Sequence, residues 1–452
     1  MVTKVSVKSI RSNFGALCDW GIVFSLCVVI FVLPASIALL DSFAALAIFL
    51  YLLKKINRTV IDWPAKTSHL KLSGKMLFIW KGFAPPVNFL NRPLQILVLV
   101  VFISVVLSHY PGHSFYAFMG KFLKCVFLYF CVIETLSDEK RIWIFLDFFL
   151  LSAFITALSG AVQHYTGKDF LRGHIIGDEN FVSTHRINSS FFGANGFAAY
   201  LLPVIGLVIH FLYTAIVRKR SWILGGVLAL FLALLLACLC WTYSRSAWIG
   251  FVFILFLMVW MDRRKAVLTG ALLLIFYFMF LPSLSQVRNL NLMNDNSSGA
   301  RIQHENILSS IKPVLRDIGS GRIDYWKKAI SIIHTSPVWG TGLNTYTKIL
   351  KKDPNQATWR YAHNCYLQMT AETGLLGLAC FLWVLFVLFQ RGIKYCKQIK
   401  EPWPLAFLQG AVSGLFGFMV QSFFDNTFYT VQLGMLMWLF FGLIVAVIRL
   451  GK

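Results

Sequence analysis

Long apolar runs, rarely broken by a charge, dominate this chain. Each is about 17–25 residues long, the length an α-helix needs to cross a hydrocarbon layer. They fall at 18–34, 36–53, 93–109, 118–136, 142–162, 192–217, 222–241, 247–261, 266–283, 371–390, 404–424 and 428–448. The pattern predicts an all-α polytopic membrane protein with about 12 transmembrane helices. One sizeable polar stretch divides the chain into helices one to nine (1–283), a large loop (284–370) and the last three helices (371–452). Late in that loop Ser320 suits a helix cap and Asp324 suits the first turn. Ile323, Trp326, Ile330 and Ile333 then recur at helical spacing before Pro337. An amphipathic helix lying over the mouth of the bundle is expected there.

Composition agrees with the pattern. Charged residues make up 13% of the chain and hydrophobic residues 58%, against about 25% charged in a soluble domain. Lys4, Lys8 and Arg11 ahead of Gly21–Leu40 imitate a signal peptide, but the apolar run is too long and a second follows from Ser42. An uncleaved first span is therefore expected. Most of the nine cysteines lie inside apolar runs and none forms a metal-type cluster; Cys365 alone falls in an exterior segment.

The net charge of +23 invites a nucleic-acid reading until its distribution is considered. With the N-terminus inside, segments 1–17, 54–92, 137–141, 218–221, 262–265, 391–403 and 449–452 hold 25 of the 42 Lys and Arg residues. The short outer turns near Ala35, Tyr110–Ala117 and Asp425–Phe428 hold none. Lys and Arg accumulate on the cytoplasmic side of membrane proteins, and long loops are exempt from that rule. The basic excess therefore reports topology, with both termini cytoplasmic and loop 284–370 outside, and no nucleic-acid partner is implied.

Polar groups crowding the outer mouth are the candidates for chemistry. Arg245 lies in the short turn of "CWTYSRSAWIGF"; alone, it reads as well as an interfacial arginine among Trp241, Tyr243 and Trp248. Arg322 opens the expected amphipathic helix, where free N–H groups favour an anion; Lys327 and Lys328 read as its solvated face. Arg360, His363 and Tyr366 precede the tenth span, with Glu372, Gly374 and Gly377 inside its start. A lone histidine there is more often structural than catalytic. Arg186 and His185 could join the same surface, while Asn195 and Gly196 suit close helix packing.

Taken together, two arginines and a neutral histidine suit a reaction with a diphosphate leaving group and an alcohol nucleophile. Arginine forks match phosphate oxygens, and a histidine near its ordinary pKa can take a hydroxyl proton. The outer segments show no His-x-x-x-His pair and no tight Asp-x-Asp, and the adjacent Asp178 and Glu179 would point apart on a helix or strand. Arginines are thus expected to supply the charge a metal would otherwise provide, with no metal and no cofactor.

The order "YSRSAW", "GRIDYW…SPVWGTGLNTY" and "AHNCYLQMTAETGLLG" resembles the O-antigen ligase and polymerase superfamily of bacterial inner-membrane glycosyltransferases. The likeness extends to topology throughout, and to sequence detail over about 178–200 and 240–378. The resemblance implies transfer of a glycan from undecaprenyl diphosphate to an acceptor hydroxyl on the periplasmic face, inverting and metal-independent. Arg245 and Arg322 would hold the diphosphate and His363 would activate the acceptor. Arg186, Arg360, Asn364, Tyr325 and Tyr366 are the further candidate substrate contacts. The acceptor expected for a ligase is lipid A core; for a polymerase it is a growing glycan. A loop with eleven Lys and Arg against five Asp and Glu favours the phosphorylated core. A transporter or flippase is the competing class, disfavoured because the midplane stretches are nearly free of charge and no paired interrupted spans are evident.

Overall fold

The computed structural model describes residues 2–67, 75, 81–176, 186–218, 221–275, 322–351 and 361–451. Those residues are overwhelmingly helical, and extended pairing among them is confined to one isolated bridge between Lys168 and Ile175. The first pair, α1 (Val2–Val32) and α2 (Ile37–Thr67), is followed by α3 (Asn91–Val106) and by α4 (Pro111–Ala117). Helix α4 passes through a π-helical turn at Phe118–Leu123 into α5 (Lys124–Thr135). Next come α6 (Glu139–Thr166), α7 (Ala194–Val217), α8 (Trp222–Trp241) and α9 (Arg245–Met261). Residues 266–275 form α10 and residues 322–335 form α11. The chain ends with α12 (Tyr346–Leu350), α13 (Cys365–Cys396), α14 (Pro402–Gln421) and α15 (Val431–Leu450).

Nine described helices are long and apolar enough to span a membrane; α3 and α9 are shorter apolar helices on two further expected runs. The expected span 266–283 is helical as far as 275, and the rest of it lies outside the described residues. The polypeptide is therefore an all-α polytopic membrane protein.

Helices α7, α14 and α15 are buried along nearly their whole length and form the centre of the bundle. Glycines let them approach. A Cβ on Gly206 of α7 would strike the backbone of Gly410 and Gly414 of α14, and one on Gly250 of α9 would strike Gly417. Small-residue contacts of this kind substitute for the hydrophobic driving force that lipid does not provide. One end of the bundle is fastened by charge: Lys54 bonds Asp19 at 2.5 Å, Lys55 bonds Glu134 at 2.7 Å, and the Arg449 guanidinium donates to the Ile133 carbonyl. The opposite end carries the polar turns described next.

Helix α13 starts at Cys365, six residues before the apolar run suggested, and is broken at Gly374 (φ +74°). In a membrane the backbone groups freed by such a break need partners from the protein. Segment 336–345 supplies them. Thr341 N–H donates to the Ala371 carbonyl at 3.0 Å and Gly342 N–H to the Glu372 carbonyl at 2.9 Å. Leu375 N–H in turn donates to the Pro337 carbonyl at 2.8 Å. The Ser104 hydroxyl of α3 adds a second bond to the Glu372 carbonyl at 2.9 Å. This fit depends on backbone conformations natural to glycine. Gly342 has φ +110° and its Cβ position is filled by Ser108, while a methyl on Gly374 would overlap the Val338 carbonyl. Gly374→Ala and Gly342→Ala are each expected to cost about 3 kcal/mol or more, since left-handed strain adds to a backbone clash. The check is the melting temperature in detergent; wild-type melting by both variants would mean that the segment does not hold the break.

Helix α11 lies against the polar end, with its buried face turned from the expected stripe, of which Trp326 and Ile333 are partly buried. Ala329 and Ile332 are buried and Trp326 partly so, whereas Ile323 and Ile330 are exposed. The buried stripe meets Tyr346 and Leu350 of α12 and Ala362 and Ala371 beside the start of α13, and Trp326 packs edge-on to Phe423. The small Ala329 brings the helix close to its neighbours, which a larger side chain there would prevent.

Candidate functional site

Asn364 positions the histidine. Its side chain caps α13, accepting from Tyr366 N–H at 2.9 Å and Leu367 N–H at 3.0 Å. His363 stands just outside the cap in the left-handed region, φ +48°, a conformation that histidine tolerates better than most residues. That conformation directs its Nδ1 to Asp425 Oδ1 at 3.2 Å. Asp425 lies in the turn between α14 and α15. Burial by itself would raise its carboxyl, but the bond and charge of His363, the Asn426 backbone N–H and the Asn195 side chain outweigh it and hold the group below the usual carboxylate range. An ionised carboxylate only accepts hydrogen bonds, so His363 must place its proton on Nδ1. Nε2 is left to accept another. The Tyr325 ring of α11 covers the imidazole, with centroids 5.4 Å apart.

Three arginines converge on the same end. Arg186 is largely immobilised: Nε donates to the Thr242 carbonyl and Nη2 to Asn195 Oδ1, both at 2.7 Å. Burial lowers its guanidinium from the ordinary value, the Asp425 charge opposes this, and the nearby charges of Arg322 and Arg245 lower it further. It nevertheless stays protonated, as arginine does in proteins. Arg245 is the first residue of α9, directly after a turn in which Tyr243 takes φ +49°. Arg322 is the first described residue of α11. Among the described residues, neither Arg245 nor Arg322 donates a hydrogen bond or forms an ion pair. Three mutually repelling cations beside a single carboxylate make a place where an anion of more than one charge would be stabilised. No three His, Cys, Asp or Glu side chains among the described residues come together as a metal site would require.

The remaining sequence candidates separate into two groups. Tyr325 stays at the site with Arg322 and His363. Asn364 is buried as a helix cap, and the Tyr366 hydroxyl donates to the Met419 carbonyl at 2.9 Å while its ring packs near Phe423 and Phe428. Asn364 thus caps α13 itself, and Tyr366 holds α13 against α14. Arg360, His185, Asp178, Glu179 and Ser320 lie outside the described residues. Trp248, grouped with the arginine as a belt aromatic, is buried in the bundle, and Trp241 stacks on His164 with centroids 4.1 Å apart.

Two residues escaped the sequence reading. Asp425 was passed over as part of a turn without Lys or Arg, and Asn195 as a packing residue. Asn195 in fact links Arg186 to Asp425. A lone acid in a short turn between two apolar runs is the available signal.

Against this geometry the family comparison is specific. Residues 229–382 match the O-antigen ligase family model, Wzy_C. The match spans about a third of the chain and supports the O-antigen ligase superfamily. The matched stretch contains Arg245, Arg322 and His363, while Arg186, Asn195 and Asp425 lie beyond its ends and reach the same site through the fold. No curated protein matches the chain significantly. Members of that family are glycosyltransferase-like ligases and polymerases, which supports an enzyme.

Proposed function

We propose that this protein transfers a glycan from undecaprenyl diphosphate to an acceptor hydroxyl at the outer face of the bacterial inner membrane, with lipid A core as the acceptor. The observation that carries the reading is the convergence of Arg186, Arg245 and Arg322 on the His363–Asp425 pair. The acceptor oxygen attacks the anomeric carbon as the bond from that carbon to the diphosphate oxygen breaks, and the configuration inverts. His363 Nε2 takes the hydroxyl proton, and the Asp425 carboxylate stabilises the resulting imidazolium. Arg245 and Arg322, free of protein acceptors among the described residues, hold the departing diphosphate, with Arg186 as a fixed charge behind them. Undecaprenyl diphosphate leaves as the anion, so the donor itself supplies the driving force.

The charge of loop 284–370 favours the phosphorylated lipid A core over a growing glycan. The transport reading loses ground, because segment 336–345 and Ser104 bond the Ala371 and Glu372 carbonyls at the break in α13.

The test uses the purified full chain in nanodiscs, with lipid-diphosphate-linked oligosaccharide and lipid A core, with and without chelator. Glycan on the core with release of undecaprenyl diphosphate, unaffected by chelator, is the expected result. Elongation on the carrier lipid instead would make the protein a polymerase. No release with either acceptor would overturn the reading, and activity restored by Mg²⁺ after chelation would overturn its metal independence.

A further inference from the structure

Glu372 is a carboxylate in the interior, 1% exposed, and the transfer mechanism does not use it. It is heavily hydrogen-bonded. Asn344 N–H donates to Oε2 at 2.8 Å and Gln368 Nε2 to Oε1 at 3.2 Å. The Tyr346 N–H and the Tyr429 hydroxyl also reach it. These donors come from the segment that follows α11, from α13 itself, and from the turn that follows Asp425. Beyond Gln368 the chain of bonds continues: Asn426 Nδ2 donates to Gln368 Oε1, and Asn426 N–H donates to Asp425 Oδ1 at 2.8 Å. Asp425 then meets His363.

The direction of these bonds is informative. A carboxylate can only accept, so Gln368 must turn its NH2 toward Glu372 and its oxygen toward Asn426. Asn426 must then present its own NH2, which leaves its Oδ1 buried without a partner among the described residues. An orphaned buried oxygen costs about 1–3 kcal/mol. The amides would not adopt this orientation if the carboxylate at the far end of the chain did not require a donor there.

We propose that Glu372 is a positioning residue for His363: its carboxylate fixes the orientation of Gln368 and Asn426, and so holds the turn that presents Asp425 to the imidazole. Through Asn344 and Tyr346 the same group ties that turn to the segment following α11, the helix that brings Arg322. What residue 372 can accept matters more than its shape, because an amide there, which also donates, lets Gln368 and Asn426 reverse. The ionisable groups facing it are Lys121 from the π-helical turn, Tyr346, Tyr361 and Tyr429.

The consequence for transfer rests on the proposed function; the structural consequence does not, and the two are read separately. ¹⁵N-histidine spectra of the full chain in detergent, with His363 assigned by its absence in His363→Ala, report which ring nitrogen carries the proton. At a pH where the imidazole is neutral, wild type is expected to show the Nδ1–H form, and Glu372→Gln a mixture of tautomers. Gln368→Met, which removes the link without touching the carboxylate, should give the same mixture and carries the test if Glu372→Gln does not fold. A wild-type tautomer in the variant that folds overturns the proposal, whatever the enzyme transfers.

In the transfer assay Glu372→Gln should lose about 10–100-fold in kcat, the scale of a catalytic group misplaced by an ångström, with KM for the donor little changed. Combined with Asp425→Asn it should add no further loss, since both act through one histidine. Multiplying losses would show that Glu372 acts independently and would overturn the proposal.

Discussion

His363→Ala is expected to reduce glycan transfer by about 10²–10⁴-fold, the usual contribution of a positioned general base, while the protein still inserts and accumulates. The imidazole is partly exposed, with a side-chain accessibility of 32%, so its removal opens no core cavity. Asp425 keeps the Asn426 N–H and the Asn195 side chain. One complication is conformational. Position 363 has φ +48°, and a left-handed alanine costs about 1–2 kcal/mol. His363→Asn answers this, because asparagine accepts that conformation without supplying a base. Both variants should melt near wild type and transfer poorly. Wild-type rates in either would remove the base from the mechanism.

Arg245→Lys should be impaired nearly as badly, by about 10²–10³-fold, the loss seen when a preorganised charge stabiliser is removed. Lysine keeps the charge but not the planar fork that meets two phosphate oxygens together. The position leaves little freedom to compensate. Arg245 follows a turn whose Tyr243 takes a left-handed conformation, and the next three residues are buried in the bundle. A shorter-reaching or differently branched head group cannot be moved into place by the backbone. Lys327 on α11, whose side chain is 74% exposed, is the control: Lys327→Ala should leave transfer unchanged. Rates are best compared at fixed ionic strength, because salt screens exposed charges more than buried ones. Normal transfer by Arg245→Lys would make Arg245 an interfacial residue.

The fold class and the basic layout were legible in the chain because lipid imposes one-dimensional rules. A span must be a helix of sufficient length, and its backbone must satisfy itself within that helix. Apolar run length therefore translates directly into elements, as it did for Ala194–Val217, Trp222–Trp241 and Val431–Leu450. Candidate polar residues were legible for the same reason: Arg245, Arg322 and His363 are conspicuous against an apolar background. Where periodicity had to choose a face, it was right for Trp326 and Ile333 and wrong for the other two expected positions. The stripe of Ile323 and Ile330 on α11 is exposed, because the small Ala329 permits a closer approach that no pattern of large apolar residues reports.

Sequence by itself thus determined that the chain is a helical membrane protein with a polar cluster near one end of its bundle. Only the tertiary structure decided which residues share that site. Asp425, Asn195 and Arg186 are separated in the chain by as many as 239 positions, and they meet through the buried helices α7 and α14. Glu372 likewise lies nine residues after His363 yet connects to it by way of the turn between α14 and α15. Contacts of this range depend on how glycine-faced helices pack and on where a broken helix finds its missing hydrogen-bond partners. Neither property is written locally in the chain.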